Sequence, residues 1–195
     1  MVAQVRRGLV ASITISALLL SLVAAGALAA AVPRSTTRIF IVGTDPLCTI
    51  IPEVPPEVAC PAIAMADNGD TIAIDGTGTF NPATRAADGG GSIVHRNAAG
   101  DILGEGTWTA MSVLGFHSYG TAELDGALLE GGEVRLRVRI VAGGGAVQLD
   151  AILQIDCLVG TKVPAGAIEG VRLVVPDADL NFNKEVQGLT VFIPS

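Results

Sequence analysis

With 195 residues, half of them hydrophobic, and only 16% charged side chains, the chain holds enough apolar material for one buried domain and too little length for two of ordinary size. Beyond Arg6 and Arg7, ten basic residues stand against 19 acids, which leaves a body of net charge roughly −9. That acidic balance argues against nucleic acid and against anionic membrane surfaces as partners.

The first 31 residues read as a signal peptide. Arg6 and Arg7 precede an uncharged apolar run from Gly8 to Val32 that closes on Ala27-Leu28-Ala29-Ala30-Ala31, an A-x-A cleavage pattern. Cleavage is expected to leave a mature N-terminus at or near Ala30 or Val32. The run is also long enough to span a bilayer, so an uncleaved anchor is the alternative. The arginine pair admits a twin-arginine route beside the general one. No Cys lies in the leader, which removes a lipoprotein anchor. The expected address is extracytoplasmic, secreted or in the cell envelope, with membrane contact only through the leader during export.

Residues 32–70 read as an N-terminal strand followed by a proline-rich loop. RIFIV (38–42) is extended, and Asp45-Pro46 with prolines 52, 55, 56 and 61 then removes amide donors at intervals too close for a central strand. The body, 71–195, follows as short extended segments. TIAIDGTGTF (71–80) reads as one strand, with Gly76 and Gly78 marking close packing or a bulge. Gly89-Gly90-Gly91 separates it from Ser92–Arg96, and NAAGD (97–101) makes a hairpin turn that pairs His95 with Ile102 or Leu103. Ile102 opens the return strand, which runs into GTWTAMSVLGFHSYG (106–120), home of the only Trp and the only Tyr. Both of its faces carry large groups, so it is expected to be a central strand or one whose apolar row changes face at a bend, with Gly115 the bend.

A second hairpin carries the clearest pattern. Val134, Leu136, Val138 and Ile140 alternate with Arg135, Arg137 and Arg139; after Gly143-Gly144-Gly145, Val147, Leu149, Ala151, Leu153, Ile155 and Cys157 alternate with Gln148, Asp150, Gln154 and Asp156. A two-residue turn at Gly144-Gly145 sets Arg139 opposite Asp150, and a slip of two sets Arg137 there; the aliphatic face is expected inward, the inverse arrangement being a polar lumen for an anion. The row Arg135, Arg137, Arg139 and Asp150 then becomes a candidate surface for a ligand or partner. Val171–Val175 and Gln187–Ile193 are the last strands, joined by the polar run Asp177–Glu185. About eight strands at turn-marked intervals, without a long amphipathic helix past the leader, predict an all-β single domain: an antiparallel barrel, with a β-sandwich as the alternative.

The order GTGTF (76–80), GGGSIVHRNAAG (89–100), GTWTA (106–110), SYG (118–120), DAILQIDCLVG (150–160) and FNKEVQG (182–188) resembles a group of small secreted prokaryotic β-proteins. The resemblance covers most of the chain beyond residue 70. It implies a β-fold and an extracytoplasmic address, and it brings no activity, substrate or catalytic residue with it.

Three cysteines in an oxidising compartment imply a disulfide with one thiol left over. Cys48 and Cys60 could close the proline-rich loop locally, or Cys157 could take either of them and pin that loop to the core. His95 and His117 are the only imidazoles, and their expected separation along the hairpin argues against a shared metal. No Ser occupies a G-x-S-x-G elbow. Asp177, Asp179 and Asn181, continued by Asn183 and Glu185, place an oxygen at every second position, as the first half of a calcium loop does. Phe182 stands where an EF-hand needs Gly and Gly188 where it needs Glu, so calcium is only an alternative to no cofactor. Two functional classes follow. One is an exported, non-catalytic extracellular or envelope module that binds a protein or small molecule. The other is a small barrel with a ligand-binding lumen, a carrier or cyclase-type enzyme, with Tyr119, His117 and Glu105 reaching inward.

Overall fold

The computed structural model describes residues 37–124 and 126–195; the leader, with its cleavage site, lies outside the described residues. Twelve strands run through them in chain order: β1 (Arg38–Val42), β2 (Ala62–Met65), β3 (Thr71–Ile74), β4 (Gly76–Asn81), β5 (Ala86–Arg96), β6 (Ile102–Leu124), β7 (Ala127–Ala142), β8 (Val147–Cys157), β9 (Gly170–Val175), β10 (Leu180–Phe182), β11 (Lys184–Gln187) and β12 (Thr190–Pro194). Two four-residue helices, α1 (Leu47–Ile50) and α2 (Pro56–Ala59), occupy the proline-rich loop.

The sheet is antiparallel, and β7-β12-β1-β4-β5-β6 close into a six-stranded barrel. The long strands β5 and β7 each serve two neighbours on one edge. Residues 86–90 of β5 pair with β4 and 93–96 with β3. β7 meets β12 at Glu130 and β8 from Gly132 onward. The outer strands therefore peel away from the barrel as two wings, β8-β9-β10 and β3-β2-β11. Only Asn183 separates β10 from β11, so segment 180–187 links the tips of the wings.

The barrel interior is defined by contacts between staves that are not neighbours. Phe80 of β4 meets Phe116 of β6 at 5.1 Å between ring centroids, and Phe116 meets Phe192 of β12 at 5.9 Å. Phe40 of β1 stacks on Trp108 of β6 at 6.0 Å. Arg38 covers Phe80 and Phe116 at one end, its guanidinium 6.0 and 4.6 Å from their ring centroids. Its Nε and Nη2 donate to the Glu130 carboxylate at 2.7 and 3.1 Å, and Ser118 Oγ donates to the same carboxylate at 2.7 Å. Aromatic side chains and one ion pair thus fill the ring, as expected where so few strands close a barrel.

Strand boundaries differ from the sequence expectation: β2 lies within the expected loop of 32–70, the expected strand Gln187–Ile193 is split between β11 and β12, and four further differences have a local reason. Segment 71–80 is two strands, because the chain sidesteps at Asp75, whose carboxylate accepts from Ser92 N at 3.0 Å. Gly89-Gly90-Gly91 is not a separator; it lies inside β5, where a Cβ on Gly90 would collide with the Trp108 carbonyl and one on Gly91 with that of Asp75. The polar run Asp177–Glu185 contains β10 and the start of β11. His95 pairs with Gly104 rather than Ile102 or Leu103, because a register shift between His95 and Arg96 takes up the extra residue.

Central strand β6 is 23 residues long and carries three register shifts against β7, between Ala110 and Ser112, Val113 and Gly115, and Ser118 and Gly120. Each extra residue moves the inward position on by three instead of two, so the buried row runs Trp108, Ala110, Val113, Tyr119, with Phe116 packed against it. Leu114, which an unbroken two-residue period from Trp108 would set on the same face, is instead 48% exposed. The bend anticipated at Gly115 is the middle one of the three.

Candidate functional site

The cysteines settle into the local arrangement. Cys48 and Cys60 are bonded, and Cys157 is free and buried. Burial, with Glu169 nearby, pushes the Cys157 thiol up to about 12, which removes the thiolate a nucleophile requires. The disulfide is consistent with an extracytoplasmic location. It closes a strap, residues 43–61, that is tied at both ends to the chain entering β12: Gly43 N donates to Leu189 O at 2.9 Å, Leu189 N to Ala59 O at 2.8 Å and Gly188 N to Val58 O at 3.1 Å.

The strap stands off the outer wall of the barrel. Alternation along β12 turns Phe192 inward and Val191 and Ile193 outward, and on β7 it turns Glu130 inward and Leu129 outward. Leu47 of α1 packs onto Leu129 and Val191. Beside this contact lies a pocket of about 420 Å³, with Ile41, Leu47, Ile50, Leu129 and Ile193 among its walls and Glu169 and Thr190 as its polar groups. That volume lies within the range of small-molecule sites, roughly 300–1,000 Å³.

Glu169 belongs to the connection that follows β8. Its carboxylate accepts from Thr190 N at 2.9 Å and Leu158 N at 3.3 Å. Burial raises its pKa above the ordinary carboxylate range and the neighbouring Asp156 adds to the shift, while the two amides oppose it. Asp156 in turn anchors a buried network. Gln154 Nε2 donates to its Oδ2 at 2.7 Å, the Tyr119 hydroxyl to its Oδ1 at 3.2 Å and Thr190 Oγ1 to its main-chain oxygen at 2.7 Å. Burial is also the main cause of the raised Asp156 pKa. Asp156 had been placed on the solvated row of β8, yet it is 5% exposed because Tyr119 and Gln154 cover it.

Desolvation first, and the Asp156 charge second, push the Tyr119 hydroxyl from 10.0 up to about 12. The raised value means that the neutral phenol is the form the fold favours. Its contribution to stability is fully present below the unfolded value and is lost as pH climbs through about 12. Since Tyr119 is the only tyrosine, phenolate absorbance reads it directly. The native protein is expected to remain untitrated at a pH where the urea-unfolded chain is already half ionised; coincident curves would count against the buried Tyr119–Asp156 contact.

A second pocket, about 220 Å³, sits where the wings meet and is lined by His95, Glu105, Leu173 and Phe182 among others. It is smaller than a typical ligand site, about 300 Å³. His95 meets the edge of Phe182 at 5.3 Å and approaches Asp70 with its Nε2 at 3.4 Å, too long for a good hydrogen bond. His117 is exposed beside Tyr119, its ring centroid at 5.7 Å, so the two histidines sit in different surroundings. Of the three groups expected to reach inward, only Tyr119 is buried; Glu105 and His117 are exposed.

The arginine row lies on the outer face. Arg139 is in register with Asp150, the unslipped pairing, although the connection is the four-residue loop 143–146 with a 3₁₀ turn and not a two-residue turn. Arg137 Nη2 and Arg139 Nε donate to Asp150 at 2.6 and 2.8 Å, and Arg135 Nε turns back to Glu133 at 2.7 Å. Those two arginine hydrogen bonds hold the Asp150 pKa below its ordinary value. Asp177 and Asp179 are exposed around a single 3₁₀ turn, and Asn181 is exposed on β10. Glu185, at the far end of that run, pairs with Arg172 of β9. Among the described residues no group of three or more His, Cys, Asp or Glu is placed to hold a metal ion.

Comparison with known proteins finds no matching family model, no matching curated protein and no matching solved structure. The functional reading therefore rests on geometry. Sequence reasoning found the bracketing cysteines and prolines of the strap but missed Leu47 and Glu169, because neither belongs to a motif. Their role follows from where the strap and the connection after β8 come to rest on the barrel wall.

Proposed function

We propose that the protein is an exported, non-catalytic β-barrel module, acting outside the cell or in its envelope, that binds a small apolar molecule between the disulfide-closed strap and the barrel wall. The observation that carries this reading is the division of space. The barrel interior is occupied by Phe40, Phe80, Trp108, Phe116 and Phe192, while ligand-sized room, about 420 Å³, lies outside the ring under Leu47 and Ile50. The strap is short, cross-linked and held by main-chain hydrogen bonds, so the pocket exists before a ligand arrives, which lowers the ordering cost of binding. Exposed Ile50 and Leu124 extend the apolar lining toward solvent and give a ligand a point of entry.

The test is titration of the mature protein with Nile red, a neutral dye whose emission shifts to the blue in apolar surroundings. Saturable one-to-one binding is expected, and Ile193→Trp, which fills the pocket from its half-buried wall, should weaken it about tenfold or more with little change in melting temperature. Dye binding that does not saturate, or that Ile193→Trp leaves untouched, would refute this site.

A further inference from the structure

Among the described residues, Glu169 is the single charged group in the wall of the strap pocket. The remaining lining is aliphatic apart from Thr190, whose hydroxyl is already committed to the Asp156 carbonyl. No Lys, Arg or His is among the described lining residues. The two oxygens of Glu169 accept from two main-chain amides, Thr190 N and Leu158 N, and a carboxylate has about four acceptor positions in all. Acceptor capacity is therefore left on a carboxylate held in apolar surroundings, and the charged neighbour that acts on it, Asp156, has the same sign.

From this we infer, resting on the pocket reading above, that the ligand is an amphiphilic cation: an ammonium group that meets Glu169, carried on an aliphatic or aromatic body that fills the space beside Leu47, Leu129 and Ile193. Three arguments lead to a cation. A carboxylate held in apolar surroundings is costly without an opposite charge, and an ammonium ion supplies that charge together with three donors for the unused acceptor positions. A carboxylate-headed lipid would set two like charges at one site, beside Asp156. An uncharged apolar molecule would gain the burial of its body and nothing from Glu169. The acidic balance of the whole chain, with a formal net charge of −7, also raises the local concentration of cations.

The inference is tested by displacing Nile red from the mature protein at neutral pH with octylamine hydrochloride, 1-octanol and sodium octanoate, which share one chain and differ in head-group charge. Octylammonium is expected to displace the dye at about tenfold lower concentration than octanol, with octanoate weakest. Raising the salt concentration should reduce the octylammonium advantage in part, since a partly buried pair is screened less than an exposed one, while octanol holds. In Glu169→Gln, octylamine and octanol should become equivalent; the salt series on the unmodified protein gives the same information should that variant fold poorly. Octanol binding as well as octylammonium, or an octylammonium advantage that neither salt nor Glu169→Gln reduces, overturns the inference while the apolar pocket stands. Failure of the dye and all three compounds to bind overturns the pocket and the inference together.

Discussion

Trp108→Ala is expected to lower the stability of the protein by about 3–5 kcal/mol, the range for removing a large buried aromatic side chain. Trp108 is 2% exposed, stacks on Phe40 with centroids 6.0 Å apart and donates its Nε1 to the Asp75 carbonyl at 2.9 Å. The substitution therefore opens a cavity in the barrel and also takes the donor from a carbonyl at the point where β3 passes into β4. The surroundings are poorly placed to collapse into the space. A Cβ on Gly76 would already stand 2.7 Å from Cζ2 of the indole, and the glycines of β4 and β5 bring main chain against main chain there. Chemical denaturation followed by far-UV circular dichroism measures the loss. A change below about 1 kcal/mol would mean that the indole does not occupy the barrel centre. As the only Trp, it also reports its own surroundings, and native emission should lie well to the blue of the unfolded chain.

The β7–β8 hairpin was legible in its alternation: the two-residue period separates the buried face from the outer one, with Asp156 the exception. Its glycines left two registers open, and the structure takes the one that pairs Arg139 with Asp150. The barrel was legible as a class, while the strand count was not, for reasons that are non-local. Gly89-Gly90-Gly91 looks like a linker because glycine lacks strand propensity, yet these residues are strand because the carbonyls of Thr77, Trp108 and Asp75 approach too closely for any side chain. Asp177–Glu185 looks like a calcium-type loop because oxygens alternate along it, and the same alternation is what an exposed edge strand such as β10 shows. The choice between Cys60 and Cys157 as partner of Cys48 depended on where the strap docks, which local spacing does not encode. Glu169 was invisible for the same reason: its significance comes from the strap, β12 and the loop after β8 meeting at one place.

Arg38 was read simply as the first residue of a strand, and the structure makes it half of an ion pair that seals the barrel. Glu130→Ala is accordingly expected to cost about 3–5 kcal/mol, as when one partner is removed from a buried pair. The Glu130 side chain is 9% exposed and that of Arg38 17%, so solvent can take over little of the charge left behind. The variant also strips Ser118 Oγ of its acceptor and takes the Glu130 carboxylate from the guanidinium over Phe116. The converse change tests the explanation. In the double variant Arg38→Met, Glu130→Leu both charges of the pair go together, and apolar groups of similar length cover Phe80 and Phe116, so the loss should be far smaller than the sum of the two single losses. Urea denaturation of the unmodified protein, Arg38→Met, Glu130→Leu and the double variant closes the cycle, with Glu130→Ala measured beside them. Additive losses, or a Glu130→Ala loss within the range of an exposed pair, about 0–1 kcal/mol, would show that solvent screens the contact and that the aromatic rings alone fill this end of the barrel.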